Sequence, residues 1–317
     1  MKYLIKVLKV ILIVFIVFVI VVVLLFGHRD ISINELKAKY TNEASSFIAV
    51  DGVQVHFRDE GSKVDSNIIV FIHGTASSLQ TFDVWADSLK TTNRIIRMDL
   101  PAYGLTGPFP DNNYSMVHYT SFIKNFLTVL KIKQCVLAGN SLGGEIAWNF
   151  TLEQPAMVSK LILIDAAGYP LKSKSVPIAF KIGRIPVLNK LLTYVTPGFV
   201  VKASVKNVYF DKSKVTDALV QRYFQLTLRE GNRQAFIDRF KMLKDTGAYI
   251  NIKNIKQPAL ILWGANDLLI PVENANKFHE DLPISTLVIL DKSGHVPMEE
   301  STIESLKPVI DFLKRSY

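Results

Sequence analysis

The 317-residue chain has a single cysteine, Cys135. One thiol excludes an intramolecular disulfide framework and any cysteine-based metal cluster. Histidine–carboxylate sets at ligand spacing, such as His-x-x-x-His on one helix, are missing, so no metal centre is expected. A glycine-rich dinucleotide fingerprint and a phosphate loop are missing too, and the chemistry should need no cofactor. There is no internal repeat or low-complexity tract. Acids are in deficit: 28 Asp and Glu against 37 Lys and Arg, for a net charge of +9. Nucleic-acid binding would require a basic face on a recognised module, and none is present. With 49% apolar and 21% charged residues, the composition is that of a folded globular chain rather than a disordered one.

What the chain does have begins with an apolar run. Every residue from 10 to 26 is apolar, and residues 4–9 extend the run to about the 20 needed to span a bilayer. Lys6 and Lys9 can snorkel to the headgroups. A cleaved signal peptide would end in a small-x-small site, whereas this run exits through Leu25-Phe26-Gly27-His28-Arg29. A core helix would keep a polar face. Residues 1–30 therefore read as a single-pass anchor with its flank, and the polar stretch 31–45 as a tether. Lys2, Lys6 and Lys9 crowd the N-terminal side, which favours a cytoplasmic N-terminus and an extracytoplasmic catalytic domain. In a bacterium that domain would face the periplasm from the inner membrane.

Beyond the tether, residues 47–50 and 53–57 read as a hairpin turning at Asp51-Gly52. Short continuous apolar runs follow at 68–72, 94–98, 135–138, 161–164, 259–262 and 287–290, the pattern of strands buried on both faces. Helix-like segments at 79–90, 116–131, 144–154, 272–282 and 301–314 separate most of them. The fold class is therefore α/β, a mostly parallel sheet with helices on both faces. The alternation breaks across 168–245, where helical patterns (216–228, 233–244) occur without a strand run. Residues 46–167 and 246–317 thus read as two parts of one core.

Gly139-Asn140-Ser141-Leu142-Gly143 has the G-x-S-x-G form and lies between a strand-like and a helix-like run. A sharp turn there lifts the Ser141 hydroxyl clear of the backbone. A serine needs an adjacent base to attack at neutral pH. Downstream, Asp267 closes Trp263-Gly264-Ala265-Asn266-Asp267 just after one apolar run, and His295 closes Ser293-Gly294-His295 just after another. His295 would take and return the serine proton, and Asp267 would fix its tautomer. Asp165, at the end of run 161–164, is the competing acid, and the sequence around it suggests backbone hydrogen bonds at the cap entrance.

The order Ser141, Asp267, His295, together with His73-Gly74 and Asp99-Leu100-Pro101, resembles the α/β-hydrolase superfamily, in its serine esterase, lipase and C–C hydrolase branch. The resemblance covers nearly everything after residue 46. It implies a helical cap at 168–245 and an oxyanion hole built from the N–H groups of Thr75 and Leu142. It also marks one departure, Ala102 where the Asp-x-Pro-Gly-x-Gly loop has glycine. Serine at the elbow argues against dehalogenases and epoxide hydrolases, which carry aspartate there. The implied activity is hydrolysis of carboxylic esters, acyl esters or monoacylglycerol-like lipids, through an acyl-enzyme. The partners are then a small ester or lipid and the membrane. Asn140 keeps a C–C hydrolase of the meta-cleavage-product type as the alternative. A non-catalytic binding protein on this scaffold is the third reading.

Overall fold

Side-chain alternation along the strands decides how the sheet is clothed. In the computed structural model, which describes residues 2–63, 67–170, 172–186, 188–242 and 246–317, the apolar runs become one eight-stranded sheet. Its strands are β1 (Ser45–Val50), β2 (Val53–Glu60), β3 (Ile68–Ile72), β4 (Arg94–Met98), β5 (Cys135–Asn140), β6 (Val158–Ile164), β7 (Ala259–Gly264) and β8 (Ser285–Leu290). The order is β1-β2-β4-β3-β5-β6-β7-β8, antiparallel at β1, β2 and β4 and parallel from there on. The β1–β2 turn places both Asp51 (φ 50°) and Gly52 (φ 79°) at positive φ, as a two-residue hairpin of this hand requires.

Along β3, Val70 and Ile72 point into one core while Ile69 and Phe71 point into the other; β6 and β7 alternate likewise. After α1 (Lys2–Phe26) and α2 (Ile33–Tyr40) come α3 (Asp83–Leu89), α4 (Met116–Val129) and α5 (Leu142–Glu153). Phe126 and Ile146, from α4 and α5, pack in the first core, and Trp85 of α3 packs in the second. Helical crossovers between parallel strands clothe both faces of such a sheet.

Between β6 and β7 the chain leaves the sheet, and among the described residues there it forms five α-helices: α6 (Ile178–Gly183), α7 (Leu188–Leu191), α8 (Gly198–Val208), α9 (Asp217–Thr227) and α10 (Asn232–Lys241). The Thr216 hydroxyl caps α9 by accepting the Leu219 N–H at 3.1 Å. The segment read as helical to residue 244 ends as α10 at Lys241; Lys244 and the expected cap boundary at Asp245 lie outside the described residues. The chain then returns through β7, α11 (Glu273–Asp281), β8, α12 (Pro297–Glu300) and α13 (Thr302–Lys314).

The N-terminal helix is long and apolar enough to cross a membrane: it has 24 residues from Tyr3 to Phe26, none of them buried, and an 18-residue stretch within them has mean hydropathy 3.6. Residues 31–45 differ from the expected bare tether. The Ser32 hydroxyl caps α2, and Leu36 is buried against Leu105 and Leu226. A polar average concealed one apolar anchor residue with a capped start. The flank is also bonded to the five-helix excursion. Thr196 N–H donates to Phe26 O at 3.0 Å, and Arg233 pairs with Asp30 at 2.6 Å.

Candidate active site

The end of β5 and the start of α5 make the serine turn. Ser141 sits at φ 56°, ψ −116°, a conformation costing on the order of 1–3 kcal/mol for a non-glycine residue. Three backbone bonds hold it there: Ser141 N–H to Ile164 O, and Glu145 and Ala167 N–H to Ser141 O, each 3.0 Å. The bend is tight enough that a Cβ on Gly139 would stand 2.1 Å from Gly143 O, which forces glycine there.

His295 and Asp267 arrive from the ends of β8 and β7, neighbours in the sheet. His295 Nδ1 lies 2.6 Å from Asp267 Oδ2, and both residues are buried. With Nδ1–H committed to the carboxylate, Nε2 is free to act as a base. Asp267 Oδ1 accepts the Leu269 and Ile270 N–H groups at 2.8 and 3.0 Å, so the carboxylate is fixed in place. Ser141 and His295 line one cavity, together with Thr75. Among the described residues no hydrogen bond joins the Ser141 hydroxyl to the imidazole, a geometry common in the absence of substrate. Leu142, as the first residue of α5, has an N–H without an intrahelical acceptor.

The sequence profile of the alpha/beta hydrolase fold matches residues 67–302. The chain belongs to the α/β-hydrolase family. It is 29% identical to an uncharacterized hydrolase, YugF, of Bacillus subtilis over 268 residues, which is 84% of this chain and 96% of that protein. It is 23% identical to the 2-hydroxy-6-oxo-2,4-heptadienoate hydrolase of Pseudomonas putida, over 86% of this chain and 96% of that one. Among solved structures it resembles a candidate lipase from Acinetobacter baumannii, at TM-score 0.74 and 25% identity, covering 90% of this chain and 97% of the other. It also resembles a membrane phospholipase A described as a bacterial virulence factor, at TM-score 0.73 and 21% identity, with 99% of both chains covered.

Around this hydrolase site several residues take structural roles. His73 Nδ1–H donates to Gly74 O at 2.8 Å, and Nε2 accepts the Leu100 N–H at 2.9 Å, tying the two loops above β3 and β4. Burial lowers its pKa, which keeps the ring neutral for that purpose. Ala102 holds φ 87°, the glycine-type conformation of the loop it departs from in sequence, at a cost of about 1–2 kcal/mol. Asn140 donates through Nδ2 to Ile164 O (3.1 Å) and His295 O (3.0 Å), so its amide is spent holding the histidine turn. The Cys135 thiol is pushed up to about 12 by burial and is inert as a nucleophile.

Asp165 makes a backbone hydrogen bond of the kind expected: the end of β6 lies beside β7, and its Oδ1 accepts the Gly264 N–H at 2.9 Å, close to Asp267.

Sequence reasoning missed Glu300. Its buried carboxylate accepts the N–H groups of Gly294 (2.7 Å), Phe210 (3.1 Å) and Asp211 (2.5 Å). His295 N–H also donates to Val208 O at 2.8 Å. The histidine turn is thereby bonded to the segment following α8. The signal in the sequence was an acid five residues after His295, at the end of a short helix. Gly294 is pressed against the same segment, and a Cβ there would stand 2.5 Å from Val208 O and 2.8 Å from Phe210 N. Gly294→Ala is therefore expected to displace His295 and lower kcat about 100-fold, since a misplacement of about 1 Å costs that much. Steady-state kinetics on a soluble ester, with a thermal melt to verify folding, checks this.

Proposed function

We propose that this hydrolase is a membrane-anchored serine esterase acting on acyl esters or monoacylglycerol-like lipids through an acyl-enzyme. Ser141 attacks the ester carbonyl while His295 Nε2 takes its proton. His295 then returns that proton to the leaving alcohol. Water, activated by the same imidazole, releases the acid. Asp267 orients and stabilises the imidazolium. The N–H groups of Thr75 and Leu142 receive the tetrahedral oxyanion.

One observation carries the choice of substrate class. The cavity over Ser141 is walled by apolar cap side chains, among them Phe180, Leu192, Val200, Val205 and Phe236. Its one arginine, Arg233, is already bonded to Asp30 and to His28 O. Among the described residues the lining offers no free lysine or arginine for a substrate carboxylate. An acyl chain suits such walls better than the acidic substrate of a ring-fission hydrolase.

The anchor supports the same reading. The end of α1 is bonded to residues 194–196, next to the cavity walls, and Phe26 meets the exposed Phe199 ring edge-on at 5.6 Å. Leu188, Leu191 and Tyr194 are exposed, with Lys190 between them in sequence and Arg184 just before them. An interfacial surface has this composition, and the cap would rest on lipid with the N-terminus cytoplasmic.

The relative named as a 2-hydroxy-6-oxo-2,4-heptadienoate hydrolase favours the second reading, a meta-cleavage-product hydrolase. Assaying medium-chain esters against a dienoate ring-fission product separates the two. Dienoate turnover without ester turnover would reverse the assignment. Removing residues 2–22 is expected to leave kcat/KM for a soluble short-chain ester within about 2-fold. It should cut turnover of vesicle-embedded monoacylglycerol about 10-fold or more, because the anchor sets the local substrate concentration. Equal losses on both substrates would count against the anchor's role.

A further inference from the structure

Two carboxyl groups lie together behind His295, and the mechanism uses only one. Oxygens of Asp165 and Asp267 lie within 4.8 Å of each other and of a His295 ring nitrogen. Asp165 is 0% exposed and Asp267 2%. Among the described residues no lysine or arginine bonds to either carboxyl. Glu300 adds a coulombic push in the same direction, against ionisation of Asp165. Two carboxylates in one dry site do not both ionise; the pair holds a proton between them.

The donor pattern decides where that proton sits. Asp267 has three donors: the Leu269 and Ile270 N–H groups at Oδ1 and His295 Nδ1 at Oδ2. Among the described residues Asp165 has one, the Gly264 N–H at Oδ1, and its buried Oδ2 receives no hydrogen bond from a protein donor. A carboxylate without donors in an apolar site is costly, whereas a neutral acid there needs only one acceptor, and Asp267 is that acceptor. We infer that Asp165 is a neutral carboxylic acid whose Oδ2 hydroxyl donates to the Asp267 carboxylate. It is thereby a positioning residue that keeps Asp267 ionised and aimed at His295. Burial first, and then the Asp267 charge, push the Asp165 carboxyl well above the usual range, in agreement with the geometry.

The backbone favours a clean substitution. Asp165 holds φ 43°, a region that asparagine tolerates and alanine resists. In Asp165→Asn the amide NH2 can donate to Asp267 while its oxygen keeps the Gly264 N–H. A neutral acid is thus replaced by a neutral donor of the same shape.

The inference rests on Asp267 and His295 serving Ser141, so the test has an arm independent of turnover. Infrared spectra of the full-length protein near neutral pH should contain the carbonyl stretch of a protonated carboxylic acid, and Asp165→Asn should remove that band. In kinetics, Asp165→Asn is expected to keep kcat within about 3-fold of wild type, with the acidic limb of its pH profile unmoved. Asp165→Ala should lower kcat about 10-fold at constant KM, a loss that asparagine rescues. Loss of activity in Asp165→Asn as large as that in Asp267→Asn would overturn the inference, because Asp165 would then be the ionised partner of the histidine. Absence of the infrared band would overturn it as well, as would inhibition by a chelator with a bound metal found by elemental analysis. Wild-type kcat in a folded Asp165→Ala would remove the positioning role. If a fluorophosphonate fails to label Ser141 while the band is present, the esterase reading fails and the proton assignment stands.

Discussion

Ser141→Ala is expected to lower kcat for acyl-ester hydrolysis by about 10⁴-fold or more, and to abolish labelling by a fluorophosphonate. Removing the nucleophile leaves only the oxyanion donors and substrate binding, which supply a small part of the acceleration. Fold and cavity should survive. Ser141 already holds its turn through backbone bonds, and its hydroxyl makes none of them. Relief at φ 56° is small because alanine resists that region as serine does. The measurement is hydrolysis of p-nitrophenyl esters from about two to sixteen carbons by wild type and variant, since an acyl pocket selects by length. A peak at one chain length, lost in the variant, supports the esterase reading and reports pocket depth. A wild type that is inert on every ester yet labelled at Ser141 would move the C–C hydrolase reading to the front.

Asp267→Asn is expected to lower kcat about 10⁴-fold with little change in KM. The carboxylate holds the Nδ1–H tautomer through its 2.6 Å contact with His295. An asparagine amide turned toward the ring donates instead of accepting, so the imidazole flips tautomer and Nε2 carries the proton that a base must lack. The Leu269 and Ile270 N–H groups can still bond the amide oxygen, so the melting temperature should fall little. Kinetics at several pH values, with a melt alongside, checks this. A loss of less than about 10-fold would mean that another acid serves His295.

Much of this architecture was legible because it is local. Apolar runs of four to five residues marked six strands of the sheet, since strands clothed on both faces have no polar side to show, and the Asp51-Gly52 turn marked the hairpin of β1 and β2. Helix starts were less well placed: the segment read from residue 79 is a short 3-10 turn followed by α3, and the 301–314 reading is α13, with α12 before it unread. Capping and packing settle such ends, not periodicity. Helices α6, α7 and α8 were not resolved from the sequence. The first two are short, and the apolar residues of all three face the cavity, the core and the surface at once, so no single stripe marks them. Pro177, Pro186 and Pro197 were the available punctuation, with α6 and α8 each starting directly after one.

By itself the sequence determined the α/β class, the serine turn, the order of Ser141, Asp267 and His295, and a helix able to cross a membrane. Each of these is written in contiguous residues or in a strand-end position. Only the tertiary structure decided that Asp165 stands behind Asp267 and that Glu300 joins the histidine turn to the segment after α8. It alone decided that the residues following α1 are bonded to the helices between β6 and β7. Those contacts join residues 89 to 203 positions apart, and an isolated carboxylate or arginine in a sequence carries no sign of the partner that the fold brings to it.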